Sequence, residues 1–183
     1  MPRRVARLAL LLRQAAPMHD IGKIGTPDAV LQKRGSLDVA ERLVMNQHAA
    51  IGAQILGRSQ DPLFALTAEI ALTHHERWDG SGYPNGLAGA AIPLAGRIVA
   101  VVDFFDALTM DRCYRPAFAD DRALEMLRAE RGRFFDPAVV DSFLDHAQAL
   151  IALRDRLNAK PPEFRDLFEP AHATEPMQTR PPR

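Results

Sequence analysis

The sequence has a single cysteine, Cys113, no surplus of charge of either sign, and no long apolar run. One cysteine cannot form an intrachain disulfide, so a core must hold the fold, and a reducing, cytoplasmic setting is expected. Lys and Arg together number 23, as do Asp and Glu, for a formal net charge of +0. A protein that tracks nucleic-acid polymers needs an excess of cations, so that class is disfavoured. A small anionic ligand needs only a few well-placed ones. Arg3 and Arg4 precede an apolar stretch, as in a signal peptide, but Arg7 and Arg13 confine its uncharged run to residues 8–12. That is shorter than a signal-peptide core, and no segment has the length of a membrane span.

What is present suits one soluble domain with one substantial core: 183 residues, 47% of them hydrophobic. The periodic segments are helical. Val5, Leu8, Leu12 and Ala15 recur at helical spacing, and from Ser36, as N-cap, Leu37, Ala40, Val44, His48, Ile51 and Ile55 form one stripe ending near Gly57. Asp61-Pro62 is a cap with proline in the first turn, opening a stretch through Leu63, Leu66, Ile70 and His74. Further helices are expected from Pro93 through Val99, Val102, Asp103 and Asp106, from Asp120–Asp121 to near Gly132, and from Asp136-Pro137 to about Leu157. No two-residue alternation competes, so an all-α bundle over residues 1–158 is expected.

Two segments interrupt this pattern. Trp78 to Leu94 holds Gly80, Gly82, Gly86 and Gly89 with Pro84 and Pro93, a long loop of the kind that carries function in compact domains. Residues 159–183 hold six prolines and little apolar periodicity, the composition of a disordered tail.

The chemistry lies in where histidines and acids fall. His19-Asp20 follows the first helix, His48 sits on an apolar stripe, His74-His75 closes the third helix, and Asp103 lies on the apolar face of the fourth. A lone histidine on such a stripe is ordinarily a hydrogen-bonded core residue, and a lone buried carboxylate is costly. Six such residues near the inward side of successive helices are better explained by one shared metal site. Imidazole and carboxylate without thiolate suit iron, manganese, nickel, cobalt or zinc. Six ligands exceed what one metal with an open position needs, so two ions sharing an aspartate are expected, an arrangement that clamps an in-line phosphoryl displacement.

His19-Asp20-Ile21-Gly22-Lys23-Ile24-Gly25, then His48, then the run from His74-His75-Glu76 through Trp78-Asp79-Gly80-Ser81-Gly82-Tyr83-Pro84 resembles the HD-GYP family. The match continues through Arg97 to Asp103, Asp106-Ala107-Leu108-Thr109, Asp111-Arg112, Tyr114-Arg115 and Phe135-Asp136-Pro137, covering about residues 15 to 145. The resemblance implies an HD-domain-like helical bundle with a long Gly-Tyr-Pro loop. It implies metal ligands at His19, Asp20, His48, His74, His75 and Asp103, with Asp20 bridging two divalent ions, iron or manganese. Asp20 and Lys23 would be catalytic, and Tyr83, Arg112 and Arg115 would contact the substrate, the arginines through phosphate. Asp106 is expected either behind the ligands or in a helix-structural role; Trp78 and Asp79 shape the loop. His146 and His172 lie outside the motifs.

The activity implied is metal-dependent hydrolysis of cyclic di-GMP to pGpG, with or without a further step to GMP. The alternatives are a catalytically weak or silent cyclic di-GMP receptor or interaction module, and a different HD phosphohydrolase acting on nucleotides. Implied partners are diguanylate cyclase (GGDEF) domains or an N-terminal sensor or receiver domain. Family members carry a further upstream helix with another histidine, and this sequence has neither His nor Glu before His19. The ion held by His19, Asp20 and Asp103 is therefore expected to be one protein ligand short.

Overall fold

The computed structural model describes residues 2–111 and 115–159. Its elements are helical: α1 (Pro2–Ala15), α2 (Asp28–Leu31), α3 (Val39–Asn46), α4 (His48–Leu56), α5 (Pro62–Thr73), α6 (Leu94–Thr109), α7 (Asp120–Ala129), α8 (Pro137–Asp145) and α9 (Ala147–Ala159). Short 3₁₀ turns lie at Ala16–Met18, Ile21–Gly25 and Gly89–Ala91. Among the described residues there is no strand; Arg131 and Phe135 form an isolated bridge. The all-α expectation holds.

Local chemistry explains the starts. Asp61 accepts the Leu63 N–H at 2.8 Å with Pro62 in the first turn of α5, and Asp136 accepts the Ala138 N–H at 2.8 Å ahead of Pro137 in α8. The second helix differs from expectation in two ways. Its N-cap is Asp38 rather than Ser36, because Asp38 and Glu41 form a reciprocal capping box, each accepting the other's backbone N–H at 2.9 Å. It also breaks at Gln47, so one continuous stripe is carried by α3 and α4. The final helix breaks likewise at His146, between α8 and α9. The expected tail falls outside the described residues from residue 160 onward.

Helix α6 is the spine of the core. Its Val101, Phe105 and Leu108 pack with Ala123, Leu127, Phe135, Val140 and Phe143, joining α6 to α7 and α8. On its other flank Ala95 and Val99 pack with Ala15 and Ile70, joining α1 and α5. Leu127, Val101 and Val140 are fully buried, each removal from water contributing roughly 1.5–3 kcal/mol. Gly96 lets α6 cross α5 closely, since a Cβ there would fall 2.2 Å from Thr73 Oγ1. That crossing brings the C-terminal end of α5, where His74 begins, against the helix that carries Asp103. No helix among the described residues is long and apolar enough to cross a membrane.

Candidate metal centre

Three of the histidines sit at element ends, where a ring can turn inward. His19 is the C-cap of the 3₁₀ turn Ala16–Met18, His48 is the first residue of α4, and His74 is the C-cap of α5. In each the Nδ1–H donates to a backbone carbonyl three or four residues back. His19 bonds Ala16 at 2.8 Å, His48 bonds Met45 at 2.7 Å, and His74 is shared between Ala71 at 3.0 Å and Ile70 at 3.1 Å. A carbonyl on Nδ1 fixes the tautomer and leaves Nε2 as a bare acceptor, the arrangement common to metal-bound histidines.

Those Nε2 atoms converge on Asp20. Its Oδ1 lies 3.3 Å from His48 Nε2 and 3.8 Å from His74 Nε2, while its Oδ2 lies 3.4 Å from His19 Nε2. His19 Nε2 is also 3.6 Å from Asp103 Oδ1. Ligand atoms of Asp20, His48, His74 and His75 all fall within 4.8 Å of one another. The two oxygens of Asp20 thus face two groups of donors: His48 and His74 on one side, His19 on the other.

A metal fits this arrangement on an observation independent of motif. Five buried side-chain polar atoms among the described residues lack a hydrogen-bond partner, and four of them are His19 Nε2, Asp20 Oδ1, His48 Nε2 and His74 Nε2. Buried polar atoms are almost always paired, and leaving one unpaired costs about 1–3 kcal/mol. Four orphans aimed at one place are what a cation would satisfy.

The protonation states agree in part. Burial, then the neighbouring His19 charge, lowers His74 to about 4, and burial, then His74, lowers His75 to about 3, so both rings are neutral near pH 7, the form that can bind a metal. Burial opposes ionisation of Asp20, yet His19, His48 and Lys23 outweigh it and hold the carboxyl well below its usual range. For Asp103, burial is likewise outweighed, chiefly by His19. His19 behaves differently. Burial works against its charge, but Asp103 and Asp20 push it up to about 10, so without a metal it carries a proton that an ion would displace.

The remaining expected residues fall as follows. Lys23 Nζ donates to Asp20 Oδ2 from within the turn Ile21–Gly25. The Tyr83 ring stacks on His75 at 4.7 Å and 27°, placing the Gly-Tyr-Pro loop directly over the donors. Burial pushes the Tyr83 hydroxyl above its usual range, so it remains protonated. Arg115 lies at the C-terminal end of α6, where it donates to the carbonyls of Ala107, Leu108 and Pro116. Arg112 lies outside the described residues, as does His172. His146 is exposed and bonds the Ser142 carbonyl. A cleft of about 220 Å³ opens beside the donors, lined by His74, His75, Glu76, Arg77, Asp103 and Phe104 among others. Sequence reasoning did not single out Glu76. It is 3% exposed, and its only signal was an acid directly after two ligands.

With this geometry in place, comparison with known proteins is decisive. A family model described as HD domain matches residues 6–139. The chain belongs to that family. Its ordered His-Asp, His-His and Gly-Tyr-Pro motifs put it in the HD-GYP branch. It is 54% identical over 134 residues to the cyclic di-GMP phosphodiesterase response regulator RpfG of Xanthomonas campestris pv. campestris, covering 73% of this chain and 35% of that protein. It is 52% identical over 130 residues to a cyclic di-GMP phosphodiesterase of Thermotoga maritima, covering 71% and 35%. With the 3'3'-cGAMP-specific phosphodiesterase 2 of Vibrio cholerae it shares 46% identity over 147 residues, covering 80% and 28%. The HD-GYP chain therefore spans about a third of the length of these curated relatives. Among solved structures, a cyclic GMP-AMP-specific phosphodiesterase of V. cholerae, V-cGAP3, has the same fold, with a TM-score of 0.55 at 20% identity over 84% of this chain and 41% of that one.

Proposed function

We propose that this chain is a metal-dependent phosphodiesterase that hydrolyses cyclic di-GMP to linear pGpG. One observation carries the reading: the orphaned His19, His48 and His74 nitrogens and Asp20 oxygen converge on one point beside an open cleft. The names of the relatives, three of them cyclic-dinucleotide phosphodiesterases, supply the substrate class.

His48, His74, His75 and one oxygen of Asp20 would hold one ion; His19, Asp103 and the other oxygen of Asp20 would hold a second. The donor set suits iron or manganese. Bound there, the ions would act as Lewis acids on the phosphoryl oxygens. Lys23, beside Asp20, can place its ammonium against the same phosphate or stabilise the departing oxygen. Tyr83 can donate its hydroxyl proton to a phosphate oxygen or base. Among the described residues Arg115 makes three carbonyl bonds, and its remaining N–H groups would meet phosphate; Arg112 would supply a further phosphate contact. In each turnover water adds to phosphorus, one P–O ester bond breaks, and the leaving 3'-oxygen gains a proton.

A second reading is a cyclic di-GMP receptor of little activity, favoured by the smaller donor set around His19. We propose further that residues 1–158 form the folding unit with 159–183 as a tail, and that the chain works in the cytoplasm. A sensor, receiver or GGDEF domain is the expected partner, a pairing supported by a relative named as a response regulator. Protein purified without oxygen and supplied with iron(II) or manganese(II) should convert cyclic di-GMP to pGpG, followed chromatographically. Binding without turnover would select the receptor reading; neither binding nor turnover would end both.

A further inference from the structure

The long glycine-rich loop must hold Tyr83 over the donors, and a buried acid does the holding. Glu76 is 3% exposed, and its Oε1 accepts the Asn85 N–H at 2.8 Å while Oε2 accepts the Leu87 N–H at 3.0 Å. Gly86, between them, takes φ +66°, and this turn presents both N–H groups to one carboxylate. On the near side the Tyr83 N–H donates to the His75 carbonyl at 3.2 Å. The loop backbone lies so close that a Cβ on Gly82 would fall 2.5 Å from Glu76 Cα.

No cation pairs with Glu76 among the described residues. Burying a carboxylate against backbone donors alone is costly where an apolar side chain would fill the space without desolvation. Such a cost is commonly sustained where geometry must be fixed at a site. We propose that Glu76 is a positioning residue for cyclic-dinucleotide turnover: it latches the loop 83–87 to the backbone that carries His75, and so sets the Tyr83 ring against His75. This rests on the phosphodiesterase reading above. The latch matters for a substrate large enough to reach the loop and not for a small diester that meets only the metal centre.

The test uses the full chain loaded with manganese(II) and its Glu76→Gln variant, which keeps one acceptor and sets an NH2 against the other N–H. With cyclic di-GMP, KM should rise about ten- to hundredfold, the loss of one or two charge-assisted hydrogen bonds. With bis(p-nitrophenyl) phosphate, kcat/KM should stay within about twofold, and metal per chain should be unchanged. Equal losses on both substrates, a fall in metal content, or an unchanged KM would each overturn the proposal. Hydrogen exchange on the unmodified protein gives a second reading that needs no variant: the Asn85 and Leu87 amides should be protected, and rapid exchange of both would overturn the latch. A parent chain that cleaves the small diester but no cyclic dinucleotide would remove the functional reading instead, and the exchange result would then decide the latch alone.

Discussion

Replacing Gly22 with alanine should dismantle the metal centre without touching a ligand. Gly22 is buried in the 3₁₀ turn two residues after Asp20, with its backbone pressed on α4. A Cβ there would lie 1.9 Å from the His48 carbonyl oxygen and 2.4 Å from the Gly52 nitrogen, where real Cβ contacts essentially never fall below 3.0 Å. The obstacles are backbone, so the turn must move off α4 by at least about 1.1 Å. Metal–ligand distances tolerate only about ±0.2 Å, so that movement is some five times what Asp20 and His48 can absorb while sharing an ion. Overpacking of this kind costs about 1–3 kcal/mol, or roughly 2–12 °C in thermal midpoint for a domain of this size. The assay is metal content by mass spectrometry beside a thermal melt. Gly25→Ala is the control, because the atoms nearest its Cβ belong to the Ile51 side chain, at 3.0 to 3.8 Å, and that chain can turn aside. A Gly22→Ala protein with full metal content and an unchanged midpoint would refute the argument.

Asp20→Ala should empty both halves of the centre, since one oxygen faces His48 and His74 and the other faces His19. Metal content that stayed at the parent level would show that Asp20 joins nothing. Arg97→Met should destabilise the fold by about 3 kcal/mol in urea titration, because it leaves the buried Asp136 carboxylate without its cation at 2.5 Å. A loss below about 1 kcal/mol would show that the α8 cap alone satisfies Asp136.

Much of this was legible in the sequence for simple reasons. The helices α5 and α8 were visible in their Asp-Pro caps and α6 in its apolar stripe, because capping and periodicity act locally. The candidate ligands were visible because a histidine or aspartate on an apolar stripe violates the pattern, as His48, His74 and Asp103 do. The latch at Glu76 was not, since its partners are backbone N–H groups nine and eleven residues on, which every residue but proline possesses. Nor was the role of Gly22. A glycine required by close approach and a glycine in an ordinary turn have the same letter, and only the position of α4 separates them.

The break between α3 and α4 shows how a missed boundary can belong to the site itself. Val44, His48 and Ile51 keep helical spacing across Gln47, so periodicity predicts one helix. In an unbroken helix each backbone carbonyl is claimed by the N–H four residues on. Here the chain turns instead, and His48 becomes the first residue of α4 with its Nδ1–H on the Met45 carbonyl. The same logic holds at His74, whose ring reaches the Ala71 carbonyl left over where α5 ends, and shares the Ile70 carbonyl with the His74 backbone N–H. Helix ends supply acceptors that fix a ring from behind, and fixing it from behind presents a bare Nε2 in front. His19, His48 and His74 are therefore set where helical turns stop or start, on a rigid scaffold but exempt from its hydrogen-bond pattern, while Asp103 reaches them from within α6.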